Sequence, residues 1–413
     1  MAISFKRYIL KNGLTLIVHE DHTTPLASCH IVYKVGSRDE NSERTGMAHL
    51  LEHFMFCGSQ HIPDYDIHLQ NVGAINNAYT SQDITCYYIT LPANNIETAL
   101  WLESDRMLSL AFDQEQLDIQ KHVVMEEFKE NFLNRPFGDM WILFNQFVFQ
   151  KHPYQWLPIG KNLEHIETTT MDDIRGFYNQ FYVPNNAVIA ISGDVFYDNI
   201  VNLVEKWFGD IPRGEQVQHK YILEAEQKES RKIEFLREVP YDMIMKGWSM
   251  CERKNPQFYA FDLLSDMLGS GQSSYLYETF VLDQKLFTDI TSYITSTNDP
   301  GVFVIMGRPA DGVSLEEADQ ALTEYLYHFT GGDNLDRNLQ KVKNRVESLL
   351  LNNEIKAEDR GSTLAVSEAF GSIEEFENEK ESYFAVTNQQ IIDIFKNVIV
   401  SDKENTIFYR KKS

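Results

Sequence analysis

Hydrophobic positions in the first half of the chain change their spacing in a regular order. Two short strand-like runs flank Asn12-Gly13, and 27–35 is a third, so the sequence predicts a hairpin followed by a strand. Residues 77–91 are rich in β-branched and aromatic side chains and predict one or two further strands. The other predicted elements are helices at 46–57, 64–72, 95–110, 113–131, 170–181 and 199–208 and a buried strand at 187–193.

A polar stretch at 213–231 has no periodic apolar positions and separates two halves. After it the order of strands and helices repeats, with strands at 232–236, 243–249, 288–296 and 301–307, a helix at 257–268 and long helices beyond. We therefore predict an α+β fold of two homologous halves, each an antiparallel-rich sheet packed with helices. The predicted domains are 1–213 and 232–413, joined by a linker at 214–231.

Composition and charge exclude some functions. The 413 residues carry a net charge of −24, which would repel nucleic-acid phosphates, so no nucleic-acid partner is expected. No apolar run is long enough to span a membrane, and no export signal is seen. The four cysteines show neither metal-site nor disulfide spacing, which is typical of reduced thiols. We expect a cytoplasmic protein without a membrane partner.

The stretch His49-Leu-Leu-Glu-His53 points to chemistry. Residues four apart share a helix face, so His49 and His53 can bind one ion, with Glu52 projecting beside them. This is the H-x-x-E-H order of the inverted zinc peptidases. Zinc hydrolases need few protein ligands, an open position for water and a nearby base. On this interpretation Glu52 takes a proton from water and does not bind the metal.

The same five residues have a structural alternative. Their neighbours are apolar, so the segment is also typical of a buried helix. That alternative must bury two histidines and a glutamate close together, and such side chains are rarely buried without partners. The five residues alone leave both interpretations open.

A catalytic zinc needs a third protein ligand, often a glutamate. The strongest candidate region is 121–130, which contains Glu126, Glu127 and Glu130. Glu127 and Glu130 share a helix face, while Glu126 is turned about 100° away. Spacing alone does not choose among the three, and a solvated acidic helix is the structural alternative for each.

Several ordered segments resemble the M16 family of peptidases, which includes pitrilysin, insulysin and mitochondrial processing peptidase, and in particular its bacterial two-repeat branch. The resemblance covers most of 1–215 and extends more loosely to Leu268-Gly-Ser-Gly and Ser273-Ser274. The matching segments are Gly36–Glu40, Gly46–Phe56 with Gly58, Asn77–Ser81, Val123–Glu127, Pro158–Gly160 and Tyr182–Ala187 with Gly193-Asp194.

The resemblance implies a LuxS/MPP-like metallohydrolase fold whose two halves enclose a chamber for peptides or small unfolded proteins. It makes His49, His53 and Glu127 the ligands of one Zn2+ per chain. Glu52 becomes the general base of a zinc-dependent endopeptidase. A non-catalytic structural, assembly or peptide-binding subunit is the competing function.

The resemblance also assigns roles around the metal. Asn77 and Ala78 would bind an extended peptide by strand addition to an exposed sheet edge, although Asn77 alone is equally typical of a turn. Gln120 stands where the family commonly has a glutamate in the outer shell. An amide there keeps hydrogen bonding but cannot carry charge.

The second half departs from active family members, which carry an arginine and a tyrosine seven residues apart after the Gly/Ser turn. Val281 and Thr288 align there, and neither side chain can replace them. One interpretation is that a homologous M16 partner chain supplies the pair in a heterodimer, with a homodimer left open. The other is a different alignment, in which Tyr275, Tyr277 or Tyr293 serves.

Overall fold

The computed structural model describes residues 3–371, 373–376, 378–399 and 402–412. The chain forms two compact units, and neither is continuous in sequence. The first unit contains the described residues within 1–131, 151–223 and 351–377, and the second contains those within 132–150, 224–350 and 378–413. The chain passes between the units at 223/224, inside the predicted linker 214–231. The predicted domains treated each half as continuous, whereas each unit takes one segment from the sequence of the other half.

The first unit is built on a six-stranded mixed sheet. Its strands pair in the order β1-β2-β6-β3-β5-β4, with β2 and β6 parallel and all other neighbours antiparallel. Every residue of the central strand β6 is buried, which explains its continuous apolar run. The strands are β1 (Lys6–Ile9), β2 (Thr15–Glu20), β3 (Leu26–Tyr33), β4 (Ile75–Thr80), β5 (Thr85–Pro92) and β6 (Ala187–Gly193).

Among the described residues the second unit repeats this order without a counterpart of β1. Its strands pair as β7-β11-β8-β10-β9, which matches β2-β6-β3-β5-β4, again with only the first pair parallel. The strands are β7 (Arg231–Arg237), β8 (Met243–Ser249), β9 (Phe287–Ile294), β10 (Val302–Pro309) and β11 (Asn405–Lys411). The α+β fold with a repeated half is therefore confirmed. The strand β11 was not predicted, although it lies inside the sheet.

The helices lie mostly where helical spacing predicted them. In chain order they are α1 (Met47–Phe54), α2 (Tyr65–Asn71), α3 (Ile96–Leu108), α4 (Gln114–Phe128), α5 (Met140–Val148), α6 (Leu163–Glu167), α7 (Met171–Phe181), α8 (Tyr197–Phe208), α9 (Phe258–Gly269), α10 (Leu315–His328), α11 (Leu335–Asn353), α12 (Ala357–Ala369), α13 (Ile373–Phe376), α14 (Glu379–Ala385) and α15 (Asn388–Ile394). In the part of the chain that the structure describes, no helix combines the length and apolar character needed to cross a lipid bilayer.

Two sets of helices cover the two faces of the first sheet. The late helix α12 packs Leu364 and Ala365 against Val32 and neighbouring apolar residues of one face. On the other face α3 contacts β3, α8 contacts β2 and α1 contacts β4. Successive strand residues point to opposite faces, and on β4 Tyr79 interacts with Ser362 of α12 while Thr80 binds Glu52 of α1. The helix α1 therefore lies on the face opposite α12.

Candidate metal centre

The helix α1 is anchored by its apolar side, while its two histidines remain partly exposed. Leu50, Leu51 and Phe54 are almost completely buried. The side chains of His49 and His53 keep 15% and 26% of their surface exposed. The two interpretations of the H-x-x-E-H stretch therefore hold together: the helix is buried, and its histidines remain within reach of an ion.

The two histidines converge with one carboxylate. The His49 and His53 rings lie 4.7 Å apart between centroids, at 71° to each other. Glu127 Oε2 lies 3.9 Å from His49 Nε2 and 3.6 Å from His53 Nε2. One ligand atom from each of the three residues falls within 4.8 Å of the others.

The packing of helix α4 determines which glutamate lies near the histidines. The N-cap of α4 is Asp113, whose side chain accepts a hydrogen bond from Gln116 N–H, and the helix buries Val124 and Phe128 against the fold. Glu127, between those two positions in sequence, points to the histidines. Glu126 is exposed and pairs with Lys129 at 2.7 Å. Glu130 is exposed in the π-helical turn that follows.

The donors suit a zinc ion. Two imidazole nitrogens and one carboxylate oxygen are a common three-ligand set for a catalytic zinc. Burial, and secondarily the neighbouring His53, lower the pKa of His49 to about 4. His49 is therefore neutral at pH 7, which is the form that binds a metal. The residues present fit the ion that the sequence predicted.

Glu52 lies beside this centre and is held by the sheet. Its carboxylate Oε2 accepts a hydrogen bond from the Thr80 hydroxyl. Burial raises the pKa of Glu52 to about 7, Thr80 opposes that shift, and the nearby Glu127 adds to it. A carboxyl group with a pKa near 7 can both take up and release a proton at neutral pH.

Thr80 was not singled out from the sequence. The sequence does place it on the predicted peptide-binding strand, because Thr80 follows Ala78 by two residues and must share its face of the sheet. What could not be read was that this face turns toward α1.

Gln120 lies two turns before Glu127 on α4, and its partner is Cys57. The Gln120 side chain hydrogen-bonds the Cys57 thiol, whose pKa is raised by burial. The thiol in turn lies 3.9 Å from the carbonyl oxygen of His53. Gln120 is thus connected to the helix that carries the histidines through Cys57.

The predicted substrate-binding residues lie on β4, at one edge of the sheet. Asn77 is opposite Tyr88 and Ala78 opposite Tyr87 of β5. Among the described residues no strand pairs with the outer edge of β4. The N–H of Ala78 donates to Asn77 Oδ1 at 2.8 Å. This main-chain donor of the edge strand therefore already has a side-chain acceptor.

The aligned residues of the second unit are placed as follows. Val281 lies in a π-helical turn and packs on the core, and Thr288 is exposed on β9. The Tyr275 hydroxyl donates to the Gly331 carbonyl at 2.8 Å. Tyr277 is partly buried in the same turn as Val281. The buried Tyr293 hydroxyl has no hydrogen-bond partner among the described residues.

Two family models match the chain. Residues 15–135 match the model described as insulinase, peptidase family M16, and residues 168–346 match the model described as the peptidase M16 inactive domain. The first match contains all the residues of the candidate metal centre.

Individual proteins agree with these matches. The zinc protease PqqE of Helicobacter pylori is 29% identical over 340 residues, covering 81% of this chain and 76% of that protein. An uncharacterised zinc protease of Bacillus subtilis, YmxG, is 26% identical over 348 residues, covering 84% and 83%. A crystal structure of a protease from Helicobacter pylori superimposes with a TM-score of 0.91 at 25% identity, covering 99% of this chain and 100% of that one. The chain belongs to peptidase family M16.

Proposed function

We propose that the protein is a zinc-dependent endopeptidase that hydrolyses peptides or small unfolded proteins. The observation that carries the proposal is the convergence of His49, His53 and Glu127 within 4.8 Å, with Glu52 beside them. Relatives named as zinc proteases support it. His49, His53 and Glu127 would hold one Zn2+ per chain.

The reaction needs a proton carrier, and Glu52 is placed for that role. When bound, zinc supplies Lewis acidity and lowers the pKa of water in its coordination sphere. Glu52 accepts a proton from the attacking water at a carboxylate oxygen and later gives it to the nitrogen of the leaving amine. Its pKa near 7 suits both transfers. Thr80 orients the carboxylate by donating to Oε2.

Peptide substrates would bind as an added strand on β4. An extended peptide forms main-chain hydrogen bonds with an unpaired edge. The main-chain N–H of Ala78 now donates to Asn77 Oδ1, and a bound peptide would compete for this hydrogen bond. Asn77 would therefore contribute to peptide binding in two ways. It would release the Ala78 N–H, and its side chain would contact the peptide.

A homologous M16 chain is the proposed partner. Val281 is apolar and packed on the core, and Thr288 is short, so neither provides the donors expected at those positions. A partner that supplies an arginine and a tyrosine would complete the site in a heterodimer, and a homodimer is the alternative assembly. The same two residues favour the second candidate function, a non-catalytic subunit that binds peptides or supports an assembly.

The cysteines favour the cytoplasm as the location. All four, Cys29, Cys57, Cys86 and Cys251, are free thiols, as expected in a reducing compartment.

One experiment separates these functions. Zinc content and cleavage of a quenched-peptide mixture are measured for the chain alone, for the chain with a homologous partner, and for Glu52→Gln. We expect about one zinc per chain and partner-dependent cleavage, which Glu52→Gln lowers by roughly 10²–10⁴-fold while keeping zinc. Glu126→Gln, on the exposed side of α4, is the matched control and should cleave normally.

Each part of the proposal can fail separately. A chain that binds no zinc under metal-replete conditions is not a zinc peptidase. A chain that cleaves briskly alone needs no partner. Zinc binding without cleavage under any pairing supports the non-catalytic subunit.

A further inference from the structure

The helix that carries the histidines begins without a side-chain cap of its own. Its N-cap residue is Gly46, in the left-handed region with φ 89°. A Cβ at this position would lie 2.8 Å from the Ile159 carbonyl oxygen, so no side chain fits there. The first N–H groups of a helix have no partner within the helix and must find one elsewhere.

Glu40 supplies that partner from the preceding loop. Its Oε2 accepts from Gly46 N–H at 2.9 Å, and its Oε1 accepts from Ala48 N–H at 2.8 Å. One carboxylate thus binds the N-cap residue and the second residue of α1. A negative charge here also interacts favourably with the dipole of the helix.

Glu40 is buried, with 8% of its surface exposed. Burial raises the pKa of Glu40, and the hydrogen bonds that Ala48 and Gly46 donate oppose that shift by stabilising the ionised form, in which both oxygens accept. A buried carboxyl group is costly unless its hydrogen bonds are satisfied. Both oxygens of Glu40 are used on the start of α1, so the geometry of that start depends on this side chain.

The first turn of α1 is also the turn that carries a predicted ligand. His49 directly follows Ala48, whose N–H Glu40 holds, whereas His53 lies one turn later, where Leu50, Leu51 and Phe54 anchor the helix. Opening the first turn would therefore displace His49 more than His53.

We propose that Glu40 is a positioning residue for the metal centre. Its carboxylate closes the first turn of α1 and so holds His49 within reach of His53 and Glu127. This inference rests on the proposed function, because it assumes that these three residues bind zinc.

The test compares Glu40→Gln with the wild-type chain. The amide keeps the shape of the side chain but turns an NH2 group toward one of the two N–H donors, so one hydrogen bond is lost. Zinc affinity is measured by competition with a chromophoric chelator, and site geometry by the visible spectrum of bound Co2+. We expect zinc to bind roughly 10–100-fold more weakly, as for other residues that orient metal ligands, with a changed Co2+ spectrum.

A matched control separates positioning from general destabilisation. Ser314 caps α10 in the second unit by accepting from Glu317 N–H, so Ser314→Ala also removes one helix cap. It should lower the unfolding midpoint and leave zinc affinity and the Co2+ spectrum unchanged. An equal loss of zinc affinity in Ser314→Ala would overturn the inference.

The outcomes remain distinct from those of the proposed function. If the wild-type chain binds no metal, the proposed function is wrong and this inference is withdrawn with it. If the wild type binds zinc and Glu40→Gln shows the same affinity and spectrum, only the positioning role is wrong. Should Glu40→Gln not fold, Glu40→Asp is measured instead, since its carboxylate is one methylene shorter and should not reach both N–H groups, and wild-type zinc binding in that variant contradicts the role.

Discussion

The helices α1 and α9 occupy the same place in two sheets of the same strand order. Each follows the strand equivalent to β3 and precedes the edge strand of its sheet. The helix α9 buries an almost unbroken set of residues, among them Phe261, Leu264 and Leu268. The helix α1 buries fewer apolar residues and carries His49, Glu52 and His53.

The difference shows what the candidate metal centre costs the fold. In α9 the place beside the edge strand is filled by close packing, since a Cβ on Gly269 would lie 2.0 Å from Ser292 N on β9. In α1 the corresponding region holds a buried carboxyl group whose pKa is raised to about 7. The helix α9 also carries two carboxyl groups, but Asp262 is paired with Tyr383 and Asp266 with Arg345. The helix α1 instead brings His49, Glu52 and His53 close together, which gives up some stability to hold polar groups in one place.

The largest effect on zinc binding should come from replacing a proposed metal ligand of the first unit. Glu127→Gln removes one of three proposed ligands, so zinc affinity should fall by more than the roughly 10–100-fold typical of residues that only orient ligands. Peptide cleavage should be lost with it. Metal titration followed by a cleavage assay checks this, with Glu126→Gln as the control on the same helix. Unchanged zinc binding in Glu127→Gln would make Glu126 or Glu130 the better candidate.

A pair of cavity variants sharpens the comparison. Leu50 in α1 and Leu264 in α9 are both fully buried, so Leu50→Ala and Leu264→Ala should each lower the free energy of unfolding by about 2–5 kcal/mol. Only Leu50→Ala should also weaken zinc binding by the folded protein. Denaturant unfolding and metal titration measure the two effects, and equal zinc affinities in the two variants would contradict the assignment of separate roles.

The stability cost of Glu52 should depend on pH. Its pKa rises from an ordinary 4.5 when unfolded to about 7 when folded, so the folded metal-free protein binds more protons between these values. The free energy of unfolding should therefore decrease as pH rises from 4.5 through 7. In the presence of a chelator, Glu52→Gln should exceed the wild type in stability by about 3 kcal/mol at pH 8 and match it below pH 4.5. A difference that does not vary with pH would contradict this account.

The smallest effect concerns the edge strand β4. Ala78→Pro removes the N–H that now donates to Asn77 Oδ1, and proline is tolerated on edge strands. KM for peptides should rise about tenfold, the effect of losing one main-chain hydrogen bond, with kcat nearly unchanged. Ala78→Gly keeps the N–H and is the control. An equal rise in KM for both variants would show that this N–H is not used.

The sequence was most informative where spacing alone determines geometry. Four-residue spacing placed His49 and His53 on one side of a helix, and the repeated order of strands predicted two homologous halves. Glu127 could not be separated from its neighbours by spacing, because its position depends on the packing of Val124 and Phe128.

Other features depended on contacts between distant segments. The strand β11 is a short run that pairs in parallel with β7, which lies far away in sequence. The helix α12 joins the first sheet although its sequence follows four of the five strands of the second. Neither arrangement leaves a local pattern, because each arises from long-range pairing or packing.

The place of α12 has a consequence for synthesis on the ribosome. All six strands of the first sheet have been translated once residue 193 is made, but Val32, Val188 and Ala190 stay uncovered on one face until Leu364 and Ala365 are available. The nascent first unit therefore exposes an apolar sheet face throughout translation of most of the second, a state prone to aggregation and recognised by chaperones. Folding of the unit that carries the candidate metal centre is completed only when residues 357–369 have left the ribosome.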